Sequence, residues 1–207
     1  MNKHLSNKVI VFTAAMSIAV AVLIFFLGVT NHTFCGVRAD NFRGMLSIGF
    51  GLGCIPFIPG TAGALAGLMF SLYLCRFTLW KQLVAVIVLV GVAIPISEYG
   101  EVHFEDKDNS HIVADEVLTF PLATLGLPVH QHPILLASVF ITSRILDWTK
   151  PPPIGATEAF KGGVGIVLDD VVACLWTLLI FSIGWRWYRH SAKQKLSSAE
   201  QIKTRDE

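Results

Sequence analysis

A chain of 207 residues that is 53% hydrophobic and only 15% charged is more apolar than an ordinary soluble domain, in which about 25% of residues are charged. Its formal net charge of +1, with no basic stretch interleaved with aromatics, excludes the electrostatic footprint of a nucleic-acid binder. Cys35, Cys54, Cys75 and Cys174 stand singly, with no Cys-x-x-Cys, so all four are expected to be free thiols.

Val9 to Val29 carries no charge and follows Lys3 and Lys8. A spanning helix needs roughly 20 apolar residues, so this run is long enough for an uncleaved membrane anchor. No small-residue cleavage site follows Phe25-Phe26-Leu27, which argues against a secretory leader. Residues 1–30 are therefore taken as an anchor, 31–190 as one domain and 191–207 as a polar tail.

Beyond the anchor, Gly49 to Gly60 is a loop rich in glycine and proline. Thr61 to Cys75 is apolar and studded with small residues, which lets helices pack closely in a bilayer. Leu83 to Ser97 is the next apolar segment, and Glu98 to Ser110 reads as an acidic loop. Val117 to Val129 and Pro133 to Ser143 are expected to form a helical hairpin hinged at Pro128 and Pro133. Lys150-Pro-Pro-Pro153 stops any helix, because proline lacks the N–H and restrains the residue before it. Val171 to Tyr188 is the last apolar segment and ends in Trp185-Arg-Trp-Tyr-Arg189, an interfacial flank. With no β alternation, the fold class is an all-α membrane bundle of short, partly re-entrant helices plus the anchor.

Five carboxylates stand beside these apolar runs: Asp115 and Glu116, Asp147, and Asp169 and Asp170. Ionised groups at a membrane boundary are costly unless they pair or hold a metal, so they mark a candidate site. Three loops, Arg38 to Gly60, Glu98 to Glu116 and Arg144 to Asp170, are expected on one membrane face. There the acids converge with Arg144, Lys150 and Lys161. Hard oxygen donors in such number suit Mg²⁺, which also relieves their mutual repulsion. Taken singly, each acidic pair is equally a helix N-terminal charge, and Arg144–Asp147 a plain i,i+3 ion pair. Gly162-Gly163-Val-Gly165 offers unobstructed N–H groups to a phosphate, although no P-loop ending is present.

At these residues the chain resembles the phosphatidylglycerophosphatase A family. The resemblance rests on Gly49-Phe-Gly-Leu-Gly…Pro59-Gly-Thr61-Ala-Gly63, Ile112-Val-Ala-Asp-Glu116, Arg144-Ile-Leu-Asp…Lys150-Pro-Pro-Pro-Ile154 and Gly162-Gly-Val-Gly-Ile-Val-Leu-Asp-Asp170, in that order. Ala64, Thr119, Pro152 and Lys161 depart from residues common in the family. The resemblance implies an enzyme of the bacterial inner membrane, multi-pass, that uses Mg²⁺ to remove the terminal phosphate of phosphatidylglycerophosphate. With the residue reading, it points to Asp169, Asp170 and Asp115 as metal ligands and to Glu116 or Asp147 as ligand or general base. Arg144, Lys150 and Lys161 then hold phosphate oxygens, with Gly162, Gly163 and Thr61 in support. Another lipid phosphate as substrate, or a small cation-coupled transporter, are the alternative readings. Lysine and arginine are at least as frequent on the termini and the Arg76–Lys81 turn as on the three-loop face. The positive-inside rule then puts that face outside the cytoplasm, whereas the resemblance implies a cytoplasmic-leaflet substrate and is given precedence. No feature of the sequence sets an oligomeric state.

Overall fold

Proline and glycine punctuate the helices. The computed structural model describes residues 42–104, 109–152 and 154–203, so the anchor expected at Val9 to Val29 lies outside the described residues. Among the described residues there is no strand. The helices are α1 (Phe42–Ser47), α2 (Pro59–Leu74), α3 (Leu79–Phe104), α4 (Ala114–Thr119), α5 (Pro133–Thr149) and α6 (Gly163–Lys203). Short 3₁₀ turns lie at Gly49–Cys54, Phe120–Thr124 and Ile154–Ala159. Pro59 and Pro133 open α2 and α5 at positions whose N–H has no helical acceptor, so the missing donor costs nothing there.

Helices α3 and α6 are long and apolar enough to cross a membrane. At 26 residues α3 is about 39 Å long, against a hydrocarbon core of about 30 Å. Only 11% of its most apolar stretch is buried within the molecule, against 39% for α6. Val84, Ile87, Val88 and Val92 therefore face outward, and α6 is the more central helix. It packs against α3 and α5, and α4 fits between α2, α3 and α6. Ala64, Val86, Phe120, Leu122, Val139 and Cys174 form the core around these crossings.

The structure corrects several local expectations. The first arm of the expected hairpin breaks at Phe120–Thr124, where Pro121 cannot donate to a helical ladder and Gly126 reverses the chain at φ 71°. Glu98 is part of α3 and not a loop residue, because Tyr99 to Phe104 contains no breaker except Gly100, which fits closely against Ile112 and Ser47. Helix α6 begins at Gly163, ahead of Asp169 and Asp170, and continues to Lys203 through most of the polar tail. Cys54 is disulfide-bonded, while Cys75 and Cys174 are free. The sequence could not show this, since spacing along a chain does not reveal which thiols meet in space.

The α2–α4 crossing depends on Gly67. A Cβ there would stand 2.7 Å from Phe120 Cβ and 2.7 Å from Val117 O. Overpacking of this kind costs about 1–3 kcal/mol. Gly67→Ala is accordingly expected to lower the thermal midpoint of the detergent-solubilised protein. An unchanged midpoint would show that the two helices separate without cost.

Candidate active site

Helix α4 is only six residues long, and its place is set by its neighbours. Just before it, Val113 donates its N–H to Ser47 O at 3.0 Å. His111 Nδ1 lies 2.6 Å from Gly53 O, tying the same segment to the first 3₁₀ turn. Gly63 lets Val113 approach α2, since a Cβ at 63 would lie 3.0 Å from Val113 Cβ. These contacts aim Asp115 and Glu116 into the bundle.

From the facing side, α6 brings Asp170. One carboxylate oxygen from each of Asp115, Glu116 and Asp170 lies within 4.8 Å of the other two. Asp115 and Asp170 are buried and Glu116 is partly buried. Asp115 Oδ1, Glu116 Oε2 and Asp170 Oδ2 are shut off from solvent, and none has a hydrogen-bond partner. Burial first, then the charges of Glu116 and Asp170, push the Asp115 carboxyl well above the usual carboxylate range. Burial likewise raises Glu116 to about 7, against the pull of the neighbouring Asp115 carboxyl and of the Arg144 charge. Buried oxygens left without partners carry a desolvation penalty that a cation would remove. All three donors are hard oxygens, so the set fits Mg²⁺.

Arg144 approaches the cluster from α5. Its Nη2 lies 3.0 Å from Asp147 Oδ2, one turn further along the same helix. Its guanidinium and the Glu116 carboxylate lie together against Gly60, in the first turn of α2, where a Cβ would meet both. Beyond Thr149 the chain turns through Lys150, held at φ 42° and ψ 52° with its N–H on Leu146 O. Lys150 Nζ then reaches Asp169 Oδ2 at 2.9 Å. The other Asp169 oxygen accepts the Asp170 N–H at 3.0 Å.

The structure thus gathers Asp115, Glu116, Asp170, Arg144 and Asp147, with Lys150 and Asp169 as an adjoining pair. Asp169 follows a different direction from Asp170 because successive helical residues point about 100° apart. The Gly162-Gly163 turn meets α3: Gly163 donates its N–H to Glu98 Oε2. Lys161 is exposed just before α6, and Thr61 is partly buried beside Gly60. Sequence reasoning missed Gly60. A glycine directly after a helix-opening proline needs no turn, so close approach was the signal available.

The family model described as "Phosphatidylglycerophosphatase A" matches residues 45–184. A protein of that name from Escherichia coli (strain K12) is 35% identical over 160 residues, covering 73% of this chain and 88% of the relative. A Bacteroides thetaiotaomicron protein named "Putative phosphatidylinositol-3-phosphatase" is 33% identical over 149 residues, covering 69% of this chain and 92% of its own. A Haemophilus influenzae "Phosphatidylglycerophosphatase A" is 29% identical over 140 residues, covering 66% and 84%. No solved structure matches the chain significantly. The matched span contains Gly60, the three clustered acids and Arg144, and the chain belongs to the phosphatidylglycerophosphatase A family.

Proposed function

We propose that this protein is a Mg²⁺-dependent phosphatase of the bacterial inner membrane. It converts phosphatidylglycerophosphate and water to phosphatidylglycerol and inorganic phosphate. One observation carries the reading: three buried carboxylates with unpartnered oxygens lie within 4.8 Å of one another, beside an arginine. Asp115, Glu116 and Asp170 would hold the ion. When bound, Mg²⁺ supplies the positive charge that polarises the phosphoryl group and acidifies water.

The chain's own residues do the rest. Arg144 presents a planar fork of N–H donors that matches two phosphate oxygens. Asp147 holds that fork in orientation through the 3.0 Å contact. Glu116, between the other acids and Arg144, would give one carboxylate oxygen to the ion and with the other take a proton from water as the water oxygen bonds to phosphorus. The phosphorus–oxygen bond to the lipid breaks, and the leaving oxygen takes the proton back from Glu116 and departs as the alcohol, so that no net proton is gained or lost at the site. Lys150, steadied by Asp169, adds a second cation close to the acids. Two helices of spanning length support a membrane setting for this chemistry, where a lipid headgroup would reach it.

The test is phosphate release from phosphatidylglycerophosphate by the detergent-purified full chain, with Mg²⁺ and with EDTA. Release that depends on Mg²⁺ and falls to background in EDTA is the expected result. The Bacteroides relative's name favours a second lipid phosphate, so phosphatidylinositol 3-phosphate belongs in the same assay. Preference for it would change the substrate and keep the chemistry. Folded protein that releases phosphate from neither lipid would return the acids to a cation-coupled transporter.

A further inference from the structure

We propose that Glu98 is a positioning residue for the acid cluster. From α3 it caps the N-terminus of α6 and fixes the rotation that turns Asp170 toward Asp115 and Glu116. The proposal takes from the phosphatase reading only the cluster's role; the capping itself stands on geometry.

Helix α6 begins without a local cap. The residues before it, Phe160, Lys161 and Gly162, include none of the serine, threonine, aspartate or asparagine side chains that usually accept the first N–H groups. Gly162, at φ 74°, turns the chain in, and its carbonyl accepts the N–H groups of Gly165 at 2.9 Å and Ile166 at 3.4 Å. The orphaned N–H of Gly163 goes to Glu98 Oε2, 65 residues away. A carboxylate also suits this position electrostatically, since a helix N-terminus carries partial positive charge.

Both glycines exist in the shape that Glu98 requires. A Cβ on Gly162 would lie 3.0 Å from Glu98 Cδ, and one on Gly163 would lie 2.8 Å from Glu98 Cβ. The glycine pair therefore reads as the receiving half of a helix–helix lock. It brings the two backbones together and leaves room only for the capping side chain.

The lock sits on the face that matters. Asp170 is seven residues beyond Gly163, close to two full turns, so both lie along one side of α6. Ile166 and Val167, three and four residues on, share that side and are buried. A carboxylate about 5–6 Å from the helix axis moves about 2 Å for a 20° rotation. The three donor oxygens lie within 4.8 Å, so a shift of that size would spoil their spacing.

The test compares Glu98→Ala, Glu98→Gln and Glu98→Asp in the full chain in detergent. Hydrogen–deuterium exchange is followed across residues 161–170, and Mn²⁺ affinity is measured by electron paramagnetic resonance. Glu98→Ala is expected to speed exchange at the start of α6 and to weaken Mn²⁺ binding about 10-fold, the usual scale for a residue that orients a ligand. Glu98→Gln keeps an oxygen that accepts the Gly163 N–H, and both readouts should stay within about twofold of the parent. Glu98→Asp, one methylene short, should fall between them, and it replaces the alanine variant if that one does not fold. Unchanged exchange in the alanine and aspartate variants would overturn the proposal. So would a glutamine variant as damaged as the alanine variant, because the charge at 98 would then act directly. A parent protein that binds no Mn²⁺ would sink the metal reading, while the exchange comparison would still decide the capping role.

Discussion

If the proposed Mg²⁺-dependent phosphatase reading holds, Asp170→Asn is expected to lower phosphate release by roughly 100-fold or more while raising the thermal stability of the metal-free protein. Residues that merely support a ligand cost 10–100-fold when lost, so a ligand itself should reach at least the upper end of about 100-fold. The stability gain has a separate cause. Asp115, Glu116 and Asp170 crowd one another in a buried site, and an amide of the same shape removes one of the like charges. For a chain of this size each kcal/mol of repulsion relieved raises the midpoint by about 2–4 °C. Lost activity with a raised midpoint is the signature of a site that is stressed for its chemistry. Lost activity with a lowered midpoint would instead make Asp170 a structural residue.

Gly60→Ala should be nearly as damaging, although it adds one methyl group and removes none of the charged residues. The new Cβ would meet both the Glu116 carboxylate and the Arg144 guanidinium. These side chains would move aside, separating the proposed base and phosphate fork from the remaining acids. Misplacement by about 1 Å can cost on the order of 100-fold in rate. A fall in kcat of about 10- to 100-fold is expected, with expression and fold retained. Gly91→Ala supplies the control, because a Cβ at that helical glycine meets nothing within 4 Å. It should leave activity intact and add up to about 1 kcal/mol of stability through helix propensity. If the two variants behave alike, the close approach at Gly60 has no role in the chemistry.

The acids were legible because charge is conspicuous in an apolar chain. Asp115, Glu116 and Asp170 could be nominated from their neighbours alone, and so could Arg144 beside Asp147. Which carboxylate faces which partner was not legible. Asp169 and Asp170 read as a pair placed before a helix, but the helix starts six residues earlier and sends them to different partners. Its early start was hidden because Gly162-Gly163 reads as loop, and the group that satisfies the first N–H belongs to α3. The hairpin failed for the converse reason. An apolar run from Val117 to Val129 has helical length, but Pro121 and Gly126 outweigh its hydrophobicity. Composition read the membrane character correctly, since hydropathy reports the solvent a helix face prefers. It does not report which neighbour will cap its end.

Lys150 sits in the left-handed backbone region, where any residue but glycine bears a penalty of about 1 kcal/mol. A mutation to glycine there would ease the backbone and delete the ammonium that meets Asp169. One substitution would therefore relieve backbone strain and break a largely buried ion pair at the same time. A lineage that no longer needed the activity would still set about 1 kcal/mol of backbone relief against a buried Asp169 carboxylate deprived of its lysine.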